Sequence, residues 1–261
     1  SVVIGDAPEK GIPVFRSKND NEITQSYRLD GAMVFAERLQ AGVSLPFVQR
    51  AISKTSLKEE GTGFGDLRGN LGYEILPEWD YSVWKPRGFL FLQLTVPTGK
   101  SIYESTSPLA TDATGRGFYS AGTGLLLVKN WSSWDALVIP EIHHSFTRSF
   151  KITDETITIS PRFGASLLMG AGYNVGDFRI GMRIAPNYNQ PKHIHSTTNG
   201  DRDTASQLAW DTGLDFAYIF KDTMSATLAY TDQTVLGPVI NTTLSRTFAF
   251  TLQKRWDQLS Y

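Results

Sequence analysis

The chain has 261 residues, a formal net charge of −1 and no cysteine. That length suits one large domain or two small ones, while the missing cysteines exclude a disulfide framework and thiolate metal sites, and the balanced charge leaves no nucleic-acid footprint. No run of about 18 uninterrupted apolar residues occurs, which excludes a membrane helix, but 23 glycines, 12% aromatics and a mean hydropathy of −0.21 still admit a membrane β-barrel, where only alternate strand residues meet lipid.

No signal peptide is visible at Ser1, so an exported chain is read here in its mature form. Residues 1–20 lack a long alternation, and Pro8, Gly11 and Pro13 interrupt them. Alternation starts at Glu22. Tyr27, Leu29, Met33 and Phe35 share one face, and Ser26, Arg28, Asp30 and Ala32 the other. After a turn at Glu37-Arg38, Ala41, Val43, Leu45 and Phe47 oppose Gly42, Ser44 and Arg50. Residues 51–63 read as a polar loop. Leu67, Leu71, Tyr73 and Ile75 then oppose Asp66, Arg68, Asn70 and Glu74. Pro77 to Gly88 turns the chain and carries Trp79, Tyr81 and Trp84, aromatics suited to a membrane interface.

Leu90, Leu92, Leu94 and Val96 make the next apolar stripe, and Pro97-Thr98-Gly99 opens a polar loop to about Thr114. Tyr119, Ala121, Leu125 and Leu127 follow, with Ser120, Gly122 and Gly124 opposite. After a tight turn from Asn130 to Ser133, Trp134, Ala136, Val138 and Ile142 alternate with Asp135, Leu137, Glu141 and His143. A polar loop runs to about Glu155. Phe163, Ala165, Leu167, Met169, Ala171 and Tyr173 alternate with Arg162, Gly164, Ser166, Gly170 and Gly172. Beyond the turn at Gly176-Asp177, Phe178, Ile180, Met182 and Ile184 oppose Arg179, Gly181, Arg183 and Ala185. Residues 190–205 form a hydrophilic loop.

The stretch from Ser206 to Tyr230 is the most telling. Leu208, Trp210, Leu214, Phe216, Tyr218 and Phe220 alternate with Ala209, Asp211, Gly213, Asp215 and Ala217. Lys221-Asp222 turns, and Met224, Ala226, Leu228 and Tyr230 resume the pattern. This is a β-hairpin with one apolar face and one face of small or acidic residues. A soluble sandwich would bury the apolar face. Small polar residues instead fit the crowded inside of a closed barrel, with the apolar face turned to lipid. The hairpin alone leaves both open. In the last strand, Leu244, Phe248, Phe250, Leu252 and Trp256 oppose Ser245, Thr247, Ala249, Thr251 and Gln253, and Arg255 joins the inward set.

These patterns make eleven strands. Their connections alternate between short and long along the whole chain, as the turns and outer loops of membrane barrels do. The expected fold is an all-β transmembrane antiparallel barrel of about twelve strands over residues 21–261, preceded by an N-terminal segment, 1–20. Because bacterial barrels have an even strand number, a short twelfth strand is expected within residues 10–20. The second option is a segment threading the lumen as a plug.

From Gly63 to Gly99 the sequence resembles a known family. Gly63-Phe64-Gly65-Asp66-Leu67, Tyr73 and Pro97-Thr98-Gly99-Lys100 resemble the outer-membrane family named for the MetA pathway of phenol degradation, a transporter group. The local match covers about 37 residues. The resemblance implies an outer-membrane location and uptake of small aromatic or apolar compounds.

The candidate lumen-lining residues are Arg28, Asp30, Arg50, Asp66, Arg68, Glu74, Asp135, Glu141, His143, Arg162, Arg179, Arg183, Asp211 and Asp215. Charges of both signs along a channel would select solutes. The same charges could equally form ion pairs that hold the barrel rigid. His143 and Ser145 share a strand face and raise the alternative of an outer-membrane lipid hydrolase, although Phe146-Thr147 interrupts the expected His-x-Ser-Asn-Gly pattern. His193-x-His195 could bind a metal if Asp201 approached; a solvated loop is the simpler reading. A barrel without transport is the other alternative. The expected function is passive uptake of small molecules across the bacterial outer membrane, without catalysis, cofactor or metal. Its partners are outer-membrane lipid and a small-molecule solute, with no nucleic acid.

Overall fold

The computed structural model describes residues 1–8, 12–17, 20–77, 82–152, 155–220 and 223–256. The expected turn at Lys221-Asp222 and the aromatics Trp79 and Tyr81 lie outside the described residues. The chain begins with β1 (Val2–Ala7), β2 (Val14–Phe15), β3 (Asn21–Phe35), β4 (Leu39–Lys54), β5 (Leu57–Phe64) and β6 (Leu67–Leu76). It continues through β7 (Arg87–Val96), a 3-10 turn at Ile102–Glu104, β8 (Ser120–Asn130), β9 (Trp134–Ser145), β10 (Arg148–Ile152), β11 (Glu155–Ser160) and β12 (Phe163–Val175). It ends with β13 (Phe178–Asn189), β14 (His193–Ser196), β15 (Gly200–Asp203), β16 (Gln207–Phe220), β17 (Met224–Asp232) and β18 (Thr242–Lys254).

Twelve of these strands form a closed antiparallel barrel: β1, β3, β4, β6, β7, β8, β9, β12, β13, β16, β17 and β18, with β18 returning to β1. The period-two pattern fixes the register, because a one-residue slip would exchange the two faces of a strand. Leu214 stands opposite Met182 and Tyr230, and Phe216 opposite Ile180 and Leu228. Apolar side chains thus meet apolar side chains from strand to strand, in one belt. The belt faces outward: Leu214 is 59% exposed and Phe250 71%. Trp210, Phe216 and Phe250 do not share a buried core. Aromatics mark the end with the short turns, where Trp134 packs on Tyr173 at 4.7 Å and Phe178 on Tyr218 at 4.7 Å.

The strand that closes the ring is β1, at Val2–Ala7. This corrects the expectation of a twelfth strand within residues 10–20. Among the described residues the only strand in that window, β2, is two residues long and pairs with β1 alone. The sequence Val2-Val3-Ile4 is a continuous apolar run, so it carries no alternation to reveal a strand. β1 pairs with β18 from Ala7↔Thr242 to Val2↔Arg246, and meets β3 at Val2↔Ile23 and Val3↔Glu22. It therefore reaches only part of the way down its neighbours. Beyond Arg246, β18 pairs with β17 and with no other strand among the described residues.

Three segments read from sequence as polar loops are hairpins. Residues 51–63 extend β4 and return as β5; β10, β11, β14 and β15 form a separate four-stranded sheet. Both buried apolar clusters among the described residues sit at this end. One joins Phe118, Phe150, Ile159 and Ile194; the other joins Ala7, Val239 and Leu244. Leu244 lies on the apolar stripe of β18 yet is fully buried, because β1 and the β17–β18 connection cover it. Leu244→Ala should therefore lower stability by about 2–5 kcal/mol, read by denaturant unfolding in detergent. A change within error would show that β1 does not pack on β18.

Candidate functional site

The face opposite the apolar belt carries a lattice of paired charges. Arg179 on β13 lies between two strands' carboxylates. Its Nη2 donates to Asp135 Oδ1 on β9 at 2.7 Å, its Nε to Asp135 Oδ2 at 2.9 Å, and its Nη1 to Asp215 on β16. Asn174 also donates to Asp135, at 3.0 Å. Such forked contacts are the strong form of charged hydrogen bond. Arg183 donates to Thr231 at 2.8 Å, and Asp211 accepts from Asn187 at 3.0 Å and Gln233 at 2.8 Å. Arg28 pairs with Asp30 on β3 at 2.7 Å, with both side chains about half exposed. His143 bonds Asn189 at 3.2 Å, and its Nδ1 lies 3.7 Å from Glu141. Arg68 lies within electrostatic reach of Arg116, Asp66, Arg28 and Glu141.

Four of the residues singled out from the sequence stand apart from this lattice. Glu74 is buried and accepts from Arg87 at 2.5 Å. Asp66 is buried and bonds backbone only. Arg162 precedes β12 and is exposed, and Arg255 follows β18. Alternation signals a strand face but not where the strand ends or what lies over it.

Asp66 is the centre of a clamp. Its Oδ1 accepts from Gly99 N at 3.1 Å and its Oδ2 from Arg116 N at 2.7 Å. One carboxylate thus ties both ends of the 97–119 segment to the break between β5 and β6. Thr98 Oγ1 donates to Gly65 O at 2.7 Å and accepts from Leu67 N at 3.0 Å, while Thr114 Oγ1 donates to Phe64 O at 2.7 Å. The backbones touch here. A Cβ on Gly99 would stand 2.8 Å from Gly115 Cα and 3.0 Å from Gly65 Cα. The Gly-Phe-Gly-Asp-Leu and Pro-Thr-Gly-Lys motifs therefore meet in space, and only glycine permits the approach.

Beyond the clamp the segment lies on the polar face of the β4–β5 hairpin. Arg50 donates to the carbonyls of Ala110 and Ala113, each at 3.2 Å, and to Glu22 at 2.6 Å. Gly61 and Gly63 leave room for it: a Cβ at Gly61 would come within 2.4 Å of Thr111 O. Glu59 accepts from Leu109 N at 3.0 Å and from Ser107. On its other side, Arg148 donates to Gly117 O at 2.6 Å and to Glu104 at 2.7 Å, and Phe118 packs edge-on against Phe150. Asp112 ties the segment to itself. Burial pushes its carboxyl up, but hydrogen bonds from Lys100, Ser105 and Thr106 outweigh this and hold it well below the usual range. Sequence reading missed Lys100, Asp112, Gly115 and Arg116 as partners, because contacts inside a loop have no period.

His143 and Ser145 share no hydrogen bond; the imidazole goes to Asn189. His144 points the other way, onto Phe146 and Phe163. The geometry lacks the nucleophile–base contact that hydrolysis needs.

No protein-family model matches this chain, and no curated protein matches it. Among solved structures it is similar to the crystal structure of an outer membrane channel from Pseudomonas putida F1, with a TM-score of 0.71 at 13% identity, over 97% of this chain and 89% of that one. The likeness is one of fold.

Two predictions follow from the contacts. Arg179→Ala leaves Asp135 and Asp215 facing each other and should cost roughly 1.5–3 kcal/mol; adding Asp135→Ala should restore part of that, read as a positive coupling in a double-mutant cycle. Additive losses would mean that the pair is not formed. The Asp112 anchor has a depressed folded value, so its stabilisation is present above the ordinary value of 3.8 and is lost only as pH falls below it. Pepsin should begin to cut residues 97–119 only in that acid range in the native chain, and at higher pH in Asp112→Asn.

Proposed function

We propose that the chain is a channel of the bacterial outer membrane that admits small molecules passively, and that the clamped 97–119 segment sets its narrowest part. The observation that carries this reading is the inversion of the barrel: an exposed apolar belt on one face and a paired charge lattice on the other. A soluble barrel has no use for a belt of exposed Leu, Phe and Ile. Twelve strands exceed the roughly eight at which side chains just fill the interior. On this reading the lumen is lined by Arg28, Asp30, Arg50, Arg68, Asp135, Glu141, His143, Arg179, Arg183, Asp211 and Asp215. The similar structure is that of an outer membrane channel, which accords with the assignment.

The solute class is the finer part of the proposal. The Gly-Phe-Gly-Asp-Leu and Pro-Thr-Gly-Lys resemblance favours small aromatic or apolar compounds of the kind handled by the phenol-degradation family. Its residues build the clamp, so the resemblance concerns the element that shapes the passage.

Reconstitution tests the reading. Liposomes bearing the protein should swell with small solutes, and planar bilayers should show single-channel steps. Asp66→Ala frees both ends of the segment and should raise conductance. Leu214→Arg should cost roughly 2–4 kcal/mol if that site lies near the bilayer midplane. Gly213→Arg should instead lower conductance, since even a Cβ there meets Arg183 Nε at 2.7 Å. A protein that neither swells liposomes nor conducts, before and after Asp66→Ala, is not a channel.

A further inference from the structure

Three basic side chains gather beside the face opposite the exposed belt, without an anion of their own. Arg116 is the hub. Arg68 at the start of β6, Lys192 between β13 and β14, and His143 on β9 all lie within its electrostatic reach. Among the described residues, the side chains of Arg68, Arg116 and Lys192 form no hydrogen bond or ion pair. The two carboxylates near Arg68 are already engaged: Asp66 accepts the backbone N–H groups of Gly99 and Arg116, and Glu141 lies 3.7 Å from His143. Arg28 is paired with Asp30. Burial, and then the charge of Arg116, hold the Lys192 ammonium below its ordinary value, as expected of a cation that lacks a counter-ion.

Toward the short-turn end the same face becomes apolar. Opposed residues of neighbouring strands share a side. Arg68 opposes Thr95, His143 opposes Gly122, and one layer further on Phe91 opposes Gly124, which in turn opposes Glu141. The next layer is Phe89 opposite Leu126, and Ile139 opposite Leu168. Leu126 and Ile139 stand two residues along from Gly124 and Glu141, so they keep to the same side. All five apolar residues are half-buried, and none belongs to either buried cluster. They alternate with the exposed belt residues Leu90, Val138 and Met169, and so point away from the belt. Phe91 lays its ring over Gly124, where a Cβ would meet Cζ at 2.6 Å. A barrel interior that holds only water is polar. Here an apolar wall begins one layer, roughly 7 Å, from His143.

We propose that the cations and the apolar wall together bind one small organic monoanion of the arene carboxylate class. Its carboxylate sits among Arg68, Arg116 and Lys192, and its ring lies on Phe91, Leu126, Ile139 and Leu168. As a statement about the solute, this rests on the channel reading. A guanidinium presents a planar fork of donors that matches a carboxylate, and a phenylalanine ring packs on an arene. A neutral arene leaves the cations without a partner. A small anion with no ring leaves the wall uncovered. A dianion would bring its second charge onto the apolar wall, where nothing pairs with it.

The cations are held in place by their backbones. The N–H of Arg116 is one of the two that Asp66 grips, so the clamp on the 97–119 segment also presents the hub. Lys192 donates its N–H to Thr204 Oγ1 at 2.9 Å and accepts from Thr204 N at 2.9 Å. Arg68 is paired on both sides, with Ser44 of β4 and Thr95 of β7. Donors fixed in this way lose little freedom when the anion arrives.

Calorimetry of the detergent-purified chain with benzoate, phenol and acetate tests this. At neutral pH only benzoate carries both a charge and a ring. It should bind saturably, one per chain, and at least about ten-fold more tightly than phenol or acetate. Arg116→Gln keeps the backbone bond to Asp66 and should weaken benzoate roughly ten-fold or more. Leu168→Asn should also weaken benzoate. Lys151→Gln, which removes an exposed cation on β10, should bind as the native chain does. Heat-modifiable migration in gels checks that each variant is folded. The site is overturned if the folded native chain shows no saturable benzoate binding, or if phenol or acetate binds as tightly. It is overturned equally if Arg116→Gln or Leu168→Asn binds undiminished, or if Lys151→Gln loses as much as Arg116→Gln. Binding is read without conductance, so the two readings fail separately. A chain that binds benzoate and does not conduct keeps the site and loses the channel; one that conducts and does not bind benzoate does the reverse.

Discussion

Ring closure through β1 is the constraint on which the rest depends. A sheet that leaves an edge in hydrocarbon exposes backbone groups that lipid cannot satisfy, at several kcal/mol each. Six residues, Val2–Ala7, join the first long strand to the last. Once the ring closes, each strand has an inside and an outside, and the period-two pattern sorts its side chains between them. The charged lattice then lies on the face away from the exposed apolar belt. The apolar residues need no protein core, which is why the buried clusters among the described residues sit beyond the barrel wall or at its end.

Closure also accounts for the small residues of the polar face. A Cβ added at Gly172 would stand 2.5 Å from Arg179 Nη2, and one at Gly181 would stand 2.5 Å from Arg179 Nη1. The Arg179 guanidinium therefore lies over Gly172 of β12 and Gly181 of its own strand and occupies space that side chains would otherwise fill. Alternation of large and absent side chains lets a cation from one strand reach carboxylates on two others. The lattice holds strands β9, β13 and β16 in lateral register. These ion pairs brace the wall, which is the second of the two readings open at the level of sequence; solute selection by the same charges belongs to the proposed channel function.

The legible part of the sequence was the part with a period. Barrel strands from β3 onward, their faces and the alternation of short and long connections all follow from residues two apart. Three kinds of feature did not. β1 is apolar without alternation. The hairpins β4–β5 and β14–β15 are largely polar on both faces, as in Lys58-Glu59-Glu60 and Gly200-Asp201-Arg202-Asp203, so hydropathy gives little to follow, and on β11 Ile157 and Ile159 alternate over a run of only six residues. Asp66 had the right face and the wrong surroundings. Its position in the alternation matched a lumen charge, yet the chain returning at Gly99 and Arg116 buries it. Burial by a distant segment cannot be read from a local pattern.

The end with the long connections is packed as one unit for a physical reason. The 97–119 segment is gripped at both ends by Asp66, along one side by Arg50 and Glu59, and along the other by Arg148 and Phe150. Phe150 shares its cluster with Ile194, so the four-stranded sheet and the segment are packed together. Groups that share partners in this way are lost together rather than one at a time. Opening the segment while the sheet stays in place would strand Arg50 and Asp66 without their backbone partners, and would expose Phe118 and Phe150. Moving the sheet and segment together keeps the apolar cluster but breaks the clamp. Either motion must break the two backbone hydrogen bonds that the single Asp66 carboxylate accepts from Gly99 and Arg116.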